Sequence, residues 1–394
     1  MGVDTPSLEA RHQPSGLNTR FNGSGLTFAD YVACTRDMLN HARSRLGAAD
    51  LEKIIDGNAP FELKPAGDFA GRKKNYRRGV LLTHGLTDSP YFMRHLAEFF
   101  QENGFRVMAI LLPGHGTQPG DLLDVTWQEW ARTVAYGTDR LAEEVDEVYL
   151  AGFSAGGALS VYQSLRDDRV QGLFLFSPAL KISPRAEWAN LHKFYSWMIP
   201  SAKWVSIMPD RDIYKYESLP KNAAAQMYAL TKKLNSLLQG HEVKIPVFAA
   251  ASQDDTTANT PATLEFMAHT HHPLSKLVLY TTDTENPPSG IPAEKLELVN
   301  SVVPEQKILS FAHTAIVLPH GDPHYGAAGD YSNCTHYYPD DMEKYDACNN
   351  KHQEVLLGEI TEANLKTGTV QRLMYNPNFA ALKVSIKRFI DELP

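Results

Sequence analysis

The stretch Val148-Tyr149-Leu150-Ala151-Gly152-Phe153-Ser154-Ala155-Gly156-Gly157 decides how this chain is read. An apolar run ends in Gly-x-Ser-x-Gly, and Ala155 to Leu165 then follows a helix pattern. A serine on such a tight strand-to-helix turn has strained backbone angles, and its hydroxyl stands clear of the sheet. Glycines two before and two after it let strand and helix approach closely. The N–H after the serine heads a helix, where it can meet developing negative charge. The letters alone are common by chance. The strand, turn and helix around them make Ser154 a candidate nucleophile and Ala155 N–H a candidate anion donor.

The flanks repeat the alternation. Val80–Thr83 is a short apolar run ending at His84-Gly85 and reads as a buried strand. Ser89-Pro90 opens a helix, with Ser89 as cap and Pro90 in the first turn. Phe92, Leu96, Phe99 and Phe100 share one face of it, and Gly104 stops it. Arg106–Leu112 is the next strand, and Thr126-x-x-Glu129 is a capping box for a helix with Trp127, Trp130 and Val134. Gly172–Phe176 is another strand. This order predicts a parallel sheet with helices on both faces.

From about Pro178 to His241 the alternation stops, and the segment is helical in tendency and rich in aromatics. Strand patterns return at Ile245–Ala250, Lys276–Tyr280 and Lys307–Phe311. Asn376-Pro377 opens a last amphipathic helix with Phe379, Leu382, Ile386, Phe389 and Leu393 on one face. Before the sheet, Phe28 to Leu46 has helical spacing, and the basic run Arg72-Lys73-Lys74 with Arg77 and Arg78 reads as a solvated approach to a strand. The expected division is an N-terminal helical extension at 1–75, an α/β core at 76–180 and 243–394, and a helical cap at 181–242.

Composition closes off other classes. The 394 residues are 43% hydrophobic and 21% charged, ordinary globular values. The 38 basic and 46 acidic residues leave a charge of −8 without a basic stripe, which argues against nucleic acid as partner. No run approaches the roughly 18 apolar residues that a bilayer span needs. The opening MGVDTPSLEARHQPSG has no apolar leader core. No CxxC or HExxH is present, so no metal is expected, and no cofactor either. Gly114-His115-Gly116 begins like a dinucleotide fingerprint, but Pro119 and the missing third glycine spoil it.

From Gly79 to Leu159 the chain resembles the α/β-hydrolase superfamily, in its carboxylesterase, monoacylglycerol-lipase and serine-aminopeptidase-like branch. The matching pieces are LLTHGLTDSP, LLPGHGTQPGDL, a Thr-Trp-x-x-Trp run at 126–130 and AGFSAGG, in order and spacing. Residues 1–75 and 320–370 match poorly. The resemblance implies the α/β-hydrolase fold, a mostly parallel central sheet flanked by helices with a helical cap. It gives the residue after His-Gly, Leu86, the role of second oxyanion donor beside Ala155.

Chain order in this fold is serine, then acid, then histidine. Asp254 and Asp255 both follow the Ile245 strand pattern. The family places a small residue three positions before the acid, here Ser252, which selects Asp255. His313 follows an apolar run and matches the family's base. The implied activity is hydrolysis of a small carboxylic ester with an apolar acyl or alkyl group. Amide cleavage by the same triad, and a non-catalytic ligand-binding protein of the same fold, are the alternatives.

Other residues carry blander expectations. His84 and His115 brace their loops. His320 and His324 flank Asp322, as a metal site, an alternative base or, preferred, an active-site rim. His269, His271 and His272 fall in a solvated loop. Trp188, Trp197 and Trp204, with Phe194, Tyr195, Met198 and Ile199, form the core of a lid that could also reach an apolar substrate. Cys34 reads as a buried thiol. Cys334 and Cys348 either clip their loop, which would imply an oxidising compartment, or stay reduced. The compartment is undecided on that account.

Overall fold

A computed structural model of the chain describes residues 8–18, 25–65, 74–182, 200–350 and 355–394. The N-terminal part supplies helices α1 (Phe28–Arg45) and α2 (Leu51–Asn58) and a short strand β1 (Phe61–Leu63). The regular alternation follows as β2 (Tyr76–Thr83), α3 (Arg94–Glu102), β3 (Phe105–Ile110), α4 (Trp127–Glu144), β4 (Val145–Phe153), α5 (Ala155–Ser164) and β5 (Val170–Phe176). After it come a two-stranded hairpin, β6 (Trp204–Ser206) and β7 (Leu219–Pro220), and helix α6 (Lys221–Leu238). The sheet resumes with β8 (Val247–Ser252), α7 (Thr260–Ala268), β9 (Lys276–Thr281) and β10 (Leu296–Asn300). Last are α8 (Met342–Asn349), β11 (Leu356–Gly358), α9 (Glu362–Leu365), β12 (Val370–Arg372) and α10 (Phe379–Glu392).

Eight strands form the main sheet in the order β1-β3-β2-β4-β5-β8-β9-β10. All pairs are parallel except β1 with β3. Parallel strands covered on both faces must be apolar on both, and the central strands β3, β4, β5 and β8 are, apart from a few residues at their ends. Leu81, Leu150, Leu173 and Leu175 point to the side of α4, α5 and α6, against Trp130, Leu159 and Leu230. Val80, Leu82, Phe174 and Phe248 point to the side of α3 and α10, against Phe92, Phe100, Ile386 and Phe389. The register sets the site. Thr83 pairs with Gly152, Phe153 with Phe176, and Phe176 with Ala250, so the loops after β2, β4, β5 and β8 emerge together at the carboxyl edge. In open α/β sheets that edge is where ligands bind.

Several expectations need correction. Lys307–Phe311 is not a strand. Ile308 and Phe311 are buried as loop, with Ile308 bridging Val303 and Leu357, and the edge position belongs to the more polar β10. The segment read as a purely helical extension contributes β1, which the buried Arg106 of β3 ties down through Glu62 while also pairing with Glu144 at 2.7 Å. Cys34 is exposed rather than buried, because it lies beside, not on, the stripe Phe28, Tyr31, Thr35, Leu39 and Ala42 that α1 buries. Ser89 makes no side-chain cap; a 3-10 turn from Pro90 leads into α3 instead. Lys74, Arg77 and Arg78 are anchored, not merely solvated: Lys74 Nζ donates to Val145 O at 2.8 Å, and both arginines pair with Glu147. Arg72 and Lys73 lie outside the described residues. His324 and Asp322 are buried and do not form a rim: His324 Nε2 meets Asp212 at 3.2 Å, and Asp322 accepts from Tyr91 and His95. Cys334 and Cys348 are disulfide-bonded, their Cα atoms 6.0 Å apart.

Candidate active site

Ser154 ends β4 and heads α5 with φ 53° and ψ −113°, a conformation that a non-glycine residue holds only when its surroundings enforce it. Its N–H donates to Phe176 O at 2.9 Å, and its carbonyl accepts from Ala158 and Ala179 N–H. The glycines are required by proximity. A Cβ on Gly152 would lie 2.2 Å from the Gly156 carbonyl carbon, and one on Gly156 would lie 2.1 Å from Thr83 O. The helix therefore begins hard against the end of β2.

The loop after β2 turns beside the serine. A Cβ on Gly85 would stand 3.1 Å from Ser154 Cβ, and Asp88 N–H closes the turn onto Gly85 O. Neither Leu86 N–H nor Ala155 N–H has a hydrogen-bond acceptor among the described residues. His84 fixes the loop's start. Leu112 N–H donates to its Nε2 at 3.0 Å, which leaves Nδ1–H to donate to Gly85 O at 2.8 Å. Burial, with the neighbouring His115 adding to it, holds the His84 imidazole well below the ordinary histidine range. His115 is likewise pushed down to about 4 by burial. Both rings brace loops as neutral groups.

Residues that sequence reading passed over hold the far side of this turn. Thr87 sits at φ 67°. Its carbonyl accepts from Tyr216 N–H at 2.9 Å and its hydroxyl from Lys215 Nζ at 3.0 Å. Lys215 also pairs with the buried Asp88, whose carboxyl is raised by burial against the pull of that lysine. The segment after the hairpin strand β6 thus grips the loop at three points.

The two competing aspartates separate cleanly. Asp255 Oδ2 meets His313 Nδ1 at 2.6 Å, both side chains buried. Asp255 Oδ1 accepts from Thr257 N–H at 2.7 Å and Ala258 N–H at 2.8 Å, which fixes the carboxylate. Asp254 turns away to the Ser301 and Thr282 hydroxyls. Ser252 Oγ donates to Phe311 O at 2.7 Å and so ties the acid's strand to the histidine's loop. The His313 ring packs on Phe153, centroids 5.1 Å apart, next to Ser154. In this arrangement no hydrogen bond joins Ser154 Oγ to His313; such contacts are often loose without substrate and tighten with it.

Trp204 is buried edge-on against His12, 5.0 Å between centroids, so it packs within the protein. Trp188, Phe194, Tyr195, Trp197, Met198 and Ile199 lie outside the described residues. His269 and His271 are exposed, whereas His272 is half-buried and its Nδ1 accepts from Leu274 N–H at 3.2 Å. No group of three or more His, Cys, Asp or Glu among the described residues is placed to hold a metal ion. No described helix is long and apolar enough to cross a membrane.

A family model described as "Serine aminopeptidase, S33" matches residues 74–282, more than half of the chain. The chain belongs to this family. That span runs from just before β2 to just beyond β9 and takes in Ser154 and Asp255; His313 lies past it. The chain is also similar to a thermostable monoacylglycerol lipase of Bacillus sp. (strain H-257), 34% identical over 104 residues, which are 26% of this chain and 42% of that protein. It is similar to a carboxylesterase of Bacillus subtilis (strain 168), 31% identical over 85 residues, 21% of this chain and 35% of that protein. The similarity therefore spans less than half the length of either relative. Among solved structures, one from work on the metagenome-derived lipolytic enzymes LipS and LipT covers 57% of this chain and 87% of its own, at 24% identity and a TM-score of 0.47.

Proposed function

We propose that this protein is a serine hydrolase that cleaves carboxylic esters through Ser154, His313 and Asp255. The observation that carries the reading is the 2.6 Å contact of His313 Nδ1 with Asp255, on a ring packed beside a strained Ser154. With Nδ1 engaged, Nε2 is the nitrogen free to take the Ser154 proton as Oγ attacks the acyl carbonyl. Asp255 holds that tautomer and stabilises the imidazolium. The N–H groups of Leu86 and Ala155, without an acceptor among the described residues, receive the oxyanion. His313 then returns the proton to the leaving alkoxide. Water, activated by the same nitrogen, hydrolyses the acyl-enzyme.

The names of the relatives, a monoacylglycerol lipase and a carboxylesterase, support ester substrates with an apolar part. The name of the family supports amides as the second reading. In this proposal residues 1–75 are an extension, 76–180 and 243–394 the hydrolase core, and 181–242 the cap, which reaches the oxyanion loop through Lys215. The Cys334–Cys348 bond supports folding in an oxidising compartment.

The test is hydrolysis of p-nitrophenyl esters from acetate to palmitate, run beside aminoacyl p-nitroanilides. Ser154→Ala should lower kcat by roughly 10⁴-fold or more. The chain-length optimum sizes the acyl pocket. Turnover of anilides alone would move the assignment to peptidase, and equal turnover by Ser154→Ala would remove it.

A further inference from the structure

We propose that Glu359 is a positioning residue whose carboxylate, held by Arg372, aligns the loop of His313 with the turn of Asp255. The proposal rests on the reading of Ser154, His313 and Asp255 as a triad. Glu359 follows β11, well outside the span of the family match, and its side chain is fully buried. One oxygen, Oε2, accepts from His313 N–H at 3.1 Å and from Thr256 N–H at 3.3 Å. Thr256 is the residue after Asp255. A single atom therefore joins the backbones that carry the acid and the base.

The other oxygen, Oε1, accepts from Arg372 Nε at 3.0 Å, Arg372 Nη2 at 2.6 Å and Ile360 N–H at 2.7 Å. Arg372 Nη2 also reaches the hydroxyls of Thr256 at 3.3 Å and Thr257 at 3.2 Å. A buried carboxylate needs such pairing, since an unpaired charge there is strongly unfavourable. Behind it stands the disulfide loop. Arg372 N–H donates to Asn333 O, and Val370 N–H donates to Tyr337 OH.

The Asp255–His313 contact spans two loops that no strand pairing joins directly, and catalytic geometry is unforgiving: a shift of about 1 Å can cost about 100-fold in rate. A residue that sets both backbones from one oxygen acts on kcat. A residue that only pairs with a partly exposed arginine acts on stability.

The full chain and its best p-nitrophenyl ester separate these. Glu359→Met/Arg372→Met removes both charges together, so no unpaired charge remains, while the two amides lose their acceptor. The expected result is a folded protein by circular dichroism, with kcat about 30- to 100-fold lower and KM within about twofold. Glu359→Gln/Arg372→Met returns an uncharged carbonyl acceptor and should restore kcat to within about fivefold of wild type. Unchanged kcat in the double Met variant overturns the proposal, as does an equal loss in both double variants. Should the double Met variant not fold, Glu359→Asp decides. It keeps the charge but draws the acceptor back by one methylene; a loss of about tenfold in kcat supports the role, and wild-type kcat overturns it. Fluorophosphonate labelling of Ser154 separates the layers. A wild-type chain that neither labels nor turns over ester brings down the triad reading and this proposal with it. A labelled, active wild type with an equally active double Met variant brings down Glu359 alone.

Discussion

The serine's side of the candidate site and the histidine's side are held by different kinds of force. Around Ser154 the work is done by backbone: glycines at van der Waals limits, a strand-end hydrogen bond to Phe176 O, and a helix start pressed on Thr83. Around His313 it is done by side chains, with Asp255, Glu359, Arg372, Ser252 and Ser177 each reaching across to another loop. A backbone-held region resists loss of a side chain and fails when one is added. A side-chain-held region behaves the other way round.

Three substitutions probe that difference. The largest effect should come from Asp255→Asn on the histidine's side. It keeps volume but loses the charge and favours the wrong tautomer, so kcat should fall by roughly 10⁴-fold with the urea midpoint nearly unmoved. A loss below about tenfold would mean that the 2.6 Å contact is structural only. Next is Gly156→Ala on the serine's side. A single methyl meets Thr83 O, and the expected cost is about 2 kcal/mol of stability in urea unfolding. A neutral result would show the elbow to be looser than its contacts suggest.

The smallest effect is His115→Gln. His115 is held neutral with its value pushed down to about 4, below the ordinary 6.5. As pH falls below 6.5 the unfolded chain binds a proton that the folded chain refuses. Stability is therefore lost from pH 6.5 down to about 4. Between pH 7.5 and 5.5 the wild type should lose about 1 kcal/mol more than the variant. Parallel pH profiles would show that His115 is accessible to water.

The same contrast explains what could be read from sequence. The serine's side was legible because its constraints are local: Gly152, Ser154 and Gly156 lie within five residues, and the strand and helix flank them. The alternation of β2 through β5 was legible because both faces are buried, so apolar runs coincide with strands. That equation failed at Lys307–Phe311, where burial comes without sheet pairing. Leu309 N–H and Lys307 O are satisfied by Leu357 instead, while the half-exposed Leu296–Asn300 takes the edge. Glu359 and Arg372 could not be found at all. Each is an isolated charge in a short apolar-flanked segment, and its partners lie 46 and 13 residues away. Lys215 is hidden for the same reason, 127 residues from Asp88.

The order of these parts along the chain has a consequence for biosynthesis. Ser154 and the turn of Leu86 are translated first, and domains begin to fold from the N-terminal side as they emerge. His313 follows, then Glu359 and Arg372, and only afterwards Ile390 and Leu393, whose carbonyls accept from the Arg78 guanidinium. On the proposed reading, a product broken off by a stalled ribosome before Arg372 would own a nucleophile without an aligned base. Such incomplete copies would turn over far more slowly than the finished chain, which limits stray acyl chemistry from unfinished protein.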